Sequence, residues 1–186
     1  MIRSICVFLS LWTLLGVAQD SLQLSASTVT YTASDKADVW SGSAPLESLD
    51  LSLDPDDLGN ARLSASLRPA EFNSGNFIRD TNARRTVFEV GEFPLITFEL
   101  SSVEADQTEL DVGENVQVTL NGNLSMHGVT QEITFPATVT RTDDALNAAG
   151  EFQVLLSDFE MNRPSFLGNT VADEVSMEFD ISAALP

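Results

Sequence analysis

Cysteine and histidine are almost absent from this chain: Cys6 and His127 are the only ones among 186 residues. A lone thiol excludes a disulfide framework, and no second His or Cys stands ready to share a metal with His127. Basic side chains are scarce as well. Nine Lys and Arg face 28 Asp and Glu, for a formal net charge of −19. Such a chain repels phosphate backbones and anionic headgroups, which excludes nucleic acid as a partner. Long apolar runs are missing after the first eighteen residues, so no later segment reaches the roughly 20 residues a membrane-spanning helix needs. Internal repeats and low-complexity linkers are absent too.

The N-terminus reads as a targeting segment. Met1-Ile2-Arg3 gives a short basic start, Ile5 to Val17 is an apolar stretch, and Gly16-Val17-Ala18 places small residues where a signal peptidase cuts. Cleavage before Gln19 leaves a signal peptide of residues 1–18 and a single domain of residues 19–186, with no stable membrane insertion afterwards. Cys6 lies inside the apolar run and lacks the context for lipid attachment. The expected location is the periplasm or the medium. The mature part has no cysteine, so packing and backbone pairing alone must hold it together.

Period-two alternation dominates the rest. Leu49, Leu51 and Leu53 alternate with polar residues, as do Ile96, Phe98 and Leu100. The same holds for Val116, Val118 and Leu120, for Ile133 to Val139, and for Val175, Met177, Phe179 and Ile181. Successive strand side chains point to opposite faces, so each segment has one apolar and one wet side. Thr28–Ala33, Arg62–Leu67 and Phe152–Leu156 add three weaker strands, giving eight in all. Turn-forming stretches such as Asn121-Gly122-Asn123 and Thr142-Asp143-Asp144 punctuate them. The pattern predicts an all-β antiparallel domain. Thr81–Phe88 is the one stretch with helical character, one or two turns capped by Asp80 or Thr81. Pro136 removes a ladder donor and predicts an edge or bulge. Acidic residues in the polar phase exclude a lipid-facing barrel. Alternation leaves a closed soluble barrel and a two-sheet sandwich both open.

No reaction chemistry is evident. A Gly-x-Ser-x-Gly elbow is absent, and Asp54, Asp56 and Asp57 lack calcium-loop spacing. His127, in Met126-His127-Gly128-Val129-Thr130, reads as a turn residue. The reading is therefore a non-enzyme without a metal or cofactor.

An ordered set of motifs carries a resemblance. Gly75-Asn76-Phe77-Ile78-Arg79-Asp80 is followed by Phe93-Pro94-Leu95-Ile96-Thr97-Phe98-Glu99-Leu100, then by Gly122-Asn123-Leu124-Ser125-Met126-His127-Gly128-Val129-Thr130. Gly150 to Val154, Leu156 to Phe159 and Val171 to Met177 continue it. From Ala44 to Ala183 the chain resembles the YceI-like family of bacterial secreted, polyisoprenoid-binding proteins. The resemblance implies an eight-stranded, antiparallel lipocalin-like β-barrel with an elongated apolar cavity for an isoprenoid or quinone-like lipid. An eight-stranded barrel is about the size that either fills itself or holds one small ligand. The expected function is non-enzymatic carriage of a long-chain amphipathic lipid; the alternative is a packed barrel serving as an interaction or stress-response domain.

Candidate lining residues are Phe98, Leu100, Phe135, Phe152, Val154, Met177 and Phe179 in the strands, with Phe77 and Phe88 in or beside turns near the mouth. Phe72, Phe93 and Phe159 are further turn phenylalanines that could close the mouth or plug an end. Arg79 could donate to a headgroup oxygen, or Arg79 and Asp80 could pin their loop. A hydrophobic small molecule is the expected partner, and the resemblance makes a homodimer reasonable.

Overall fold

The computed structural model describes residues 22–54, 56–166 and 168–185. The expected signal peptide lies outside the described residues. Eleven strands are present in chain order: β1 (Gln23–Ser34), β2 (Val39–Ala44), β3 (Ser48–Asp54), β4 (Asp57–Leu67), β5 (Ile96–Ala105), β6 (Asn115–Met126), β7 (Val129–Arg141), β8 (Ala145–Leu155), β9 (Ser165–Phe166), β10 (Asn169–Thr170) and β11 (Glu174–Ala184). Nine of them form one sheet in the order β2-β1-β11-β8-β7-β6-β5-β4-β3, and β9 and β10 pair separately. Neighbouring strands are antiparallel. The sheet curls until its ends approach: the Leu22 amide donates to the Leu51 carbonyl of β3 at 3.4 Å. The Leu46 amide, between β2 and β3, donates to Ser27 Oγ of β1 at 2.9 Å.

The all-β, barrel-like architecture is as expected, with nine strands in the main sheet where the alternation predicts eight. The additional strand is β2, Val-Trp-Ser-Gly-Ser-Ala. Its inward positions are Trp40, Gly42 and Ala44, so small residues and serines hide the apolar phase. Gly42 is required there because a Cβ would sit 2.6 Å from the ring of Tyr31, its register partner on β1. The ring occupies the space that a side chain would take.

Pro136 sits at a partial edge. β7 pairs with β8 only from Ala137 to Arg141, whereas β7 pairs with β6 from Val129 to Thr140. The prolyl nitrogen therefore marks where β8 leaves β7. A 3-10 turn at Leu156–Phe159 covers the resulting gap, held by Gln131 Nε2 donating to the Asp158 carbonyl at 2.8 Å.

The helical segment begins earlier than its sequence suggests. Helix α1 covers Phe77–Asn82 and runs into a π-helical turn at Ala83–Val87. Asn76, not Asp80 or Thr81, is the cap: its side-chain oxygen accepts from the Ile78 and Arg79 amides, each at 3.1 Å. Asp80 is buried and bonded elsewhere.

The interior has two parts. One buried cluster includes Tyr31, Phe72, Ile96, Val154, Leu156, Phe159 and Val175; the other includes Leu22, Leu51, Leu58, Leu110, Val116 and Leu146. Phe179 packs against both.

Candidate functional site

In the first of these halves the strands do not close on one another. α1 and the π-helical turn cross the opening, and beneath them lies a cavity of about 620 Å³. Its walls come from β1 (Tyr31, Ala33), β5 (Ile96) and β11 (Val175, Met177), together with Phe72, Val87 and Phe88. The Tyr31 and Phe72 rings meet edge to face at 5.1 Å, and Phe72 stacks on Phe88 at 5.6 Å. Such aromatic pairs fix a wall beyond what area burial alone supplies. The volume falls within the range typical of small-molecule sites.

Polar groups gather on one side. Arg79 lines the cavity and its guanidinium lies over the Trp40 ring, 5.2 Å from the centroid. Its Nε donates to Ser74 Oγ at 3.0 Å and one terminal nitrogen donates to the Ser74 carbonyl at 3.3 Å. Ser74 in turn donates its amide to Asp80 at 3.1 Å, and its hydroxyl donates to the same carboxylate. Asp80 is only 6% exposed. Arg79 and Asp80 thus act as a unit joined through Ser74, which aims the guanidinium at the cavity while the carboxylate stays behind the wall. Burial, and then the Asp80 charge, push the Tyr31 phenol above its ordinary value; Arg79 and a hydrogen bond with Ser74 oppose them. Asp35 and Asp38, in the β1–β2 turn, also border the cavity.

His127 and Gly128 form the β6–β7 turn with φ values of 54° and 78°. The His127 ring does more than turn the chain. Nδ1 lies 3.2 Å from the Phe159 carbonyl, and Nε2 lies 2.8 Å from the carboxylate of Glu89, just beyond the π-helical turn. Phe93 packs on the ring at 4.4 Å. The hairpin therefore ties down both the helical cover and the 3-10 turn.

The sequence candidates separate into groups. Phe88, Met177 and Arg79 line the cavity. Phe98, Phe135, Phe152 and Phe179 form a cluster centred on Phe135, whose ring is 5.5, 4.7 and 5.8 Å from the other three. Val154 is buried beside them, outside the lining. Leu100 is half-buried next to the β5–β6 irregularity and does not line the cavity. Phe77 is 80% exposed, on the outer side of the helix start. Phe72, expected to close the mouth or plug an end, lines the cavity too, as do Tyr31, Trp40, Ile96 and Val175, which the sequence did not single out. The phase of β11 could have given Val175, two residues from Met177; nothing in the sequence marks Trp40. Among the described residues, no group of three or more His, Cys, Asp or Glu is placed to hold a metal. No helix among them is long and apolar enough to cross a membrane.

A family model described as the YceI-like domain matches residues 21–183. Among solved structures, BcnA of Burkholderia cenocepacia is similar with a TM-score of 0.72 at 21% identity, over 84% of this chain and 96% of that one. A polyisoprenoid binding domain from Saccharophagus degradans, implicated in plant cell wall breakdown, gives 0.68 at 16% identity, over 89% and 98%. The YCEI protein of Campylobacter jejuni gives 0.61 at 19% identity, over 75% and 81%. At these identities the likeness is one of fold. No curated protein sequence matches the chain.

Proposed function

From the premise that this chain belongs to the YceI-like family, we propose that it binds an amphipathic lipid without chemically changing it, holding an isoprenoid or quinone-like tail in the covered cavity. The observation that carries this reading is the cavity itself: about 620 Å³ walled by Tyr31, Phe72, Phe88, Ile96, Val175 and Met177. Transfer of a chain into such a space contributes about 0.8 kcal/mol for each buried methylene. A solved relative of the same fold is described as a polyisoprenoid binding domain, which supports the choice of ligand class. Arg79 supplies the polar complement. Held by Ser74 and stacked on Trp40, it can donate a hydrogen bond to a headgroup oxygen without leaving its place.

The leader-like start of the sequence supports export, and with it a role in carrying lipid through an aqueous compartment, periplasmic or extracellular. The alternative, a solid barrel acting through its surface, has in its favour the packed second half of the interior. The open half favours the binder.

Trp40 provides the test. Its ring lines the cavity, so geranylgeraniol delivered from cyclodextrin should change its emission saturably, with one molecule per chain. Trp40→Phe should remove that change while calorimetry still detects binding. A flat titration in both measurements would overturn the proposal.

A further inference from the structure

We infer that the cavity is a ruler for tail length: the phenylalanine cluster is its floor, and the preferred tail is about four isoprene units long. The inference rests on the lipid-binding reading above and adds a size class to it.

The floor can be followed strand by strand. On β11 the wall residues are Val175 and Met177, and the next inward position is Phe179. On β5 the wall residue is Ile96, and the next inward position is Phe98. β7 and β8 supply Phe135 and Phe152, and the four rings close on one another with centroid distances of 4.7 to 5.8 Å around Phe135. One inward step along a strand is only about 7 Å, so Phe98 and Phe179 follow directly on Ile96 and Met177, and Phe152 stands beside Met177 as its register partner on β8.

Two of these rings are also held from behind. A Cβ on Gly122 would lie 2.5 Å from the Phe98 ring, and one on Gly150 would lie 2.7 Å from the Phe179 ring. Each ring therefore lies against the backbone of the neighbouring strand and cannot swing outward. Below the layer, Phe179 packs into the second cluster, where Leu22, Leu51, Leu110 and Val116 are buried. A tail entering from the covered end finds no continuation.

The space above the floor sets the length. At about 30 Å³ for each water-sized group, a cavity of about 620 Å³ holds roughly twenty such groups, or about four five-carbon units. Any further unit must leave through the mouth, past Asp35 and Asp38, into water, where it gains nothing from burial.

The experiment is a prenol series of geraniol, farnesol, geranylgeraniol and an octaprenol, delivered from cyclodextrin and read by Trp40 emission and by calorimetry. Affinity should rise roughly tenfold or more per unit as far as geranylgeraniol, then level off or fall for octaprenol. Continued tightening to octaprenol on the same slope would overturn the ruler and leave the lipid-binding reading intact. No binding by any prenol would overturn both. Phe135→Ala should lower the floor and improve octaprenol relative to geranylgeraniol at least tenfold; Phe135→Leu, a milder change that keeps the core apolar, should shift the ratio in the same direction. If a folded variant leaves that ratio unchanged, the cluster is not the floor. The wild-type series decides the length preference whether or not either variant folds.

Discussion

Removal of the Asp80 carboxylate should destabilise the protein well beyond what an ordinary acidic residue on so acidic a chain would cost. Asp80 is buried and accepts both the amide and the hydroxyl of Ser74, which is itself half-buried. Asp80→Ala leaves two donors without an acceptor. A buried donor stripped of its partner costs about 1–3 kcal/mol, and water can recover part of this at Ser74, so the expected loss is about 2–4 kcal/mol. For a domain of this size each kcal/mol lowers Tm by about 2–4 °C, which places the drop on the order of 5–15 °C. Asp80→Asn keeps one acceptor oxygen and should lose about half as much. Asp111→Ala, at an exposed carboxylate, is the control and should stay within about 0.5 kcal/mol. Urea denaturation followed by far-ultraviolet circular dichroism measures all three. Equal midpoints for Asp80→Ala and Asp111→Ala would refute the claim that the Ser74–Asp80 contact organises the cover of the cavity.

Other consequences can be measured separately. Gly150→Val drives a side chain into the Phe179 ring and the Pro136 carbonyl, each 2.7 Å from the Cβ position. It should cost about 1–3 kcal/mol by overpacking, whereas Gly91→Ala, with open space around its Cβ, should be neutral in the same urea assay. Tyr31 is the chain's one tyrosine, so phenolate absorbance reports it alone, and its midpoint should lie above 10.0. Because the folded state holds that proton more tightly than the unfolded chain, the stability it contributes is complete below pH 10.0 and is lost as pH rises through the folded midpoint; Tyr31→Phe should flatten that part of the Tm-versus-pH curve. Met177→Lys places an ammonium in the apolar wall and should weaken prenol binding at least roughly tenfold, with calorimetry as the readout.

Alternation made most of the sheet legible. β5, β6, β7 and β11 place strongly apolar residues on one face, and a period of two leaves little choice about which side is buried. β2 escaped because Gly42 and Ala44 contribute backbone proximity where other strands contribute bulk, and the Tyr31 ring supplies the missing volume from the neighbouring strand. Height along the barrel was not legible at all. Phe98, Phe135, Phe152 and Phe179 share the inward phase with Ile96 and Met177, yet the fold gathers the four rings around Phe135 and makes Met177 the register partner of Phe152. Register comes from pairing across distant strands, which a single strand's pattern does not encode. Arg79 and Asp80 show the same limit locally: sequence neighbours, they diverge to opposite sides of Ser74. The His127 turn was legible from Gly128, whereas its partners Glu89 and Phe159 lie far away in sequence.

The central claim is that half of this barrel is built to hold a hydrocarbon chain. Native mass spectrometry of protein expressed from the full sequence, and purified without added lipid or detergent, tests it most directly. The account predicts a population carrying one additional lipid mass per chain, released by organic extraction and restored by geranylgeraniol. A bare protein mass in every preparation, unchanged by offered prenols, would contradict it.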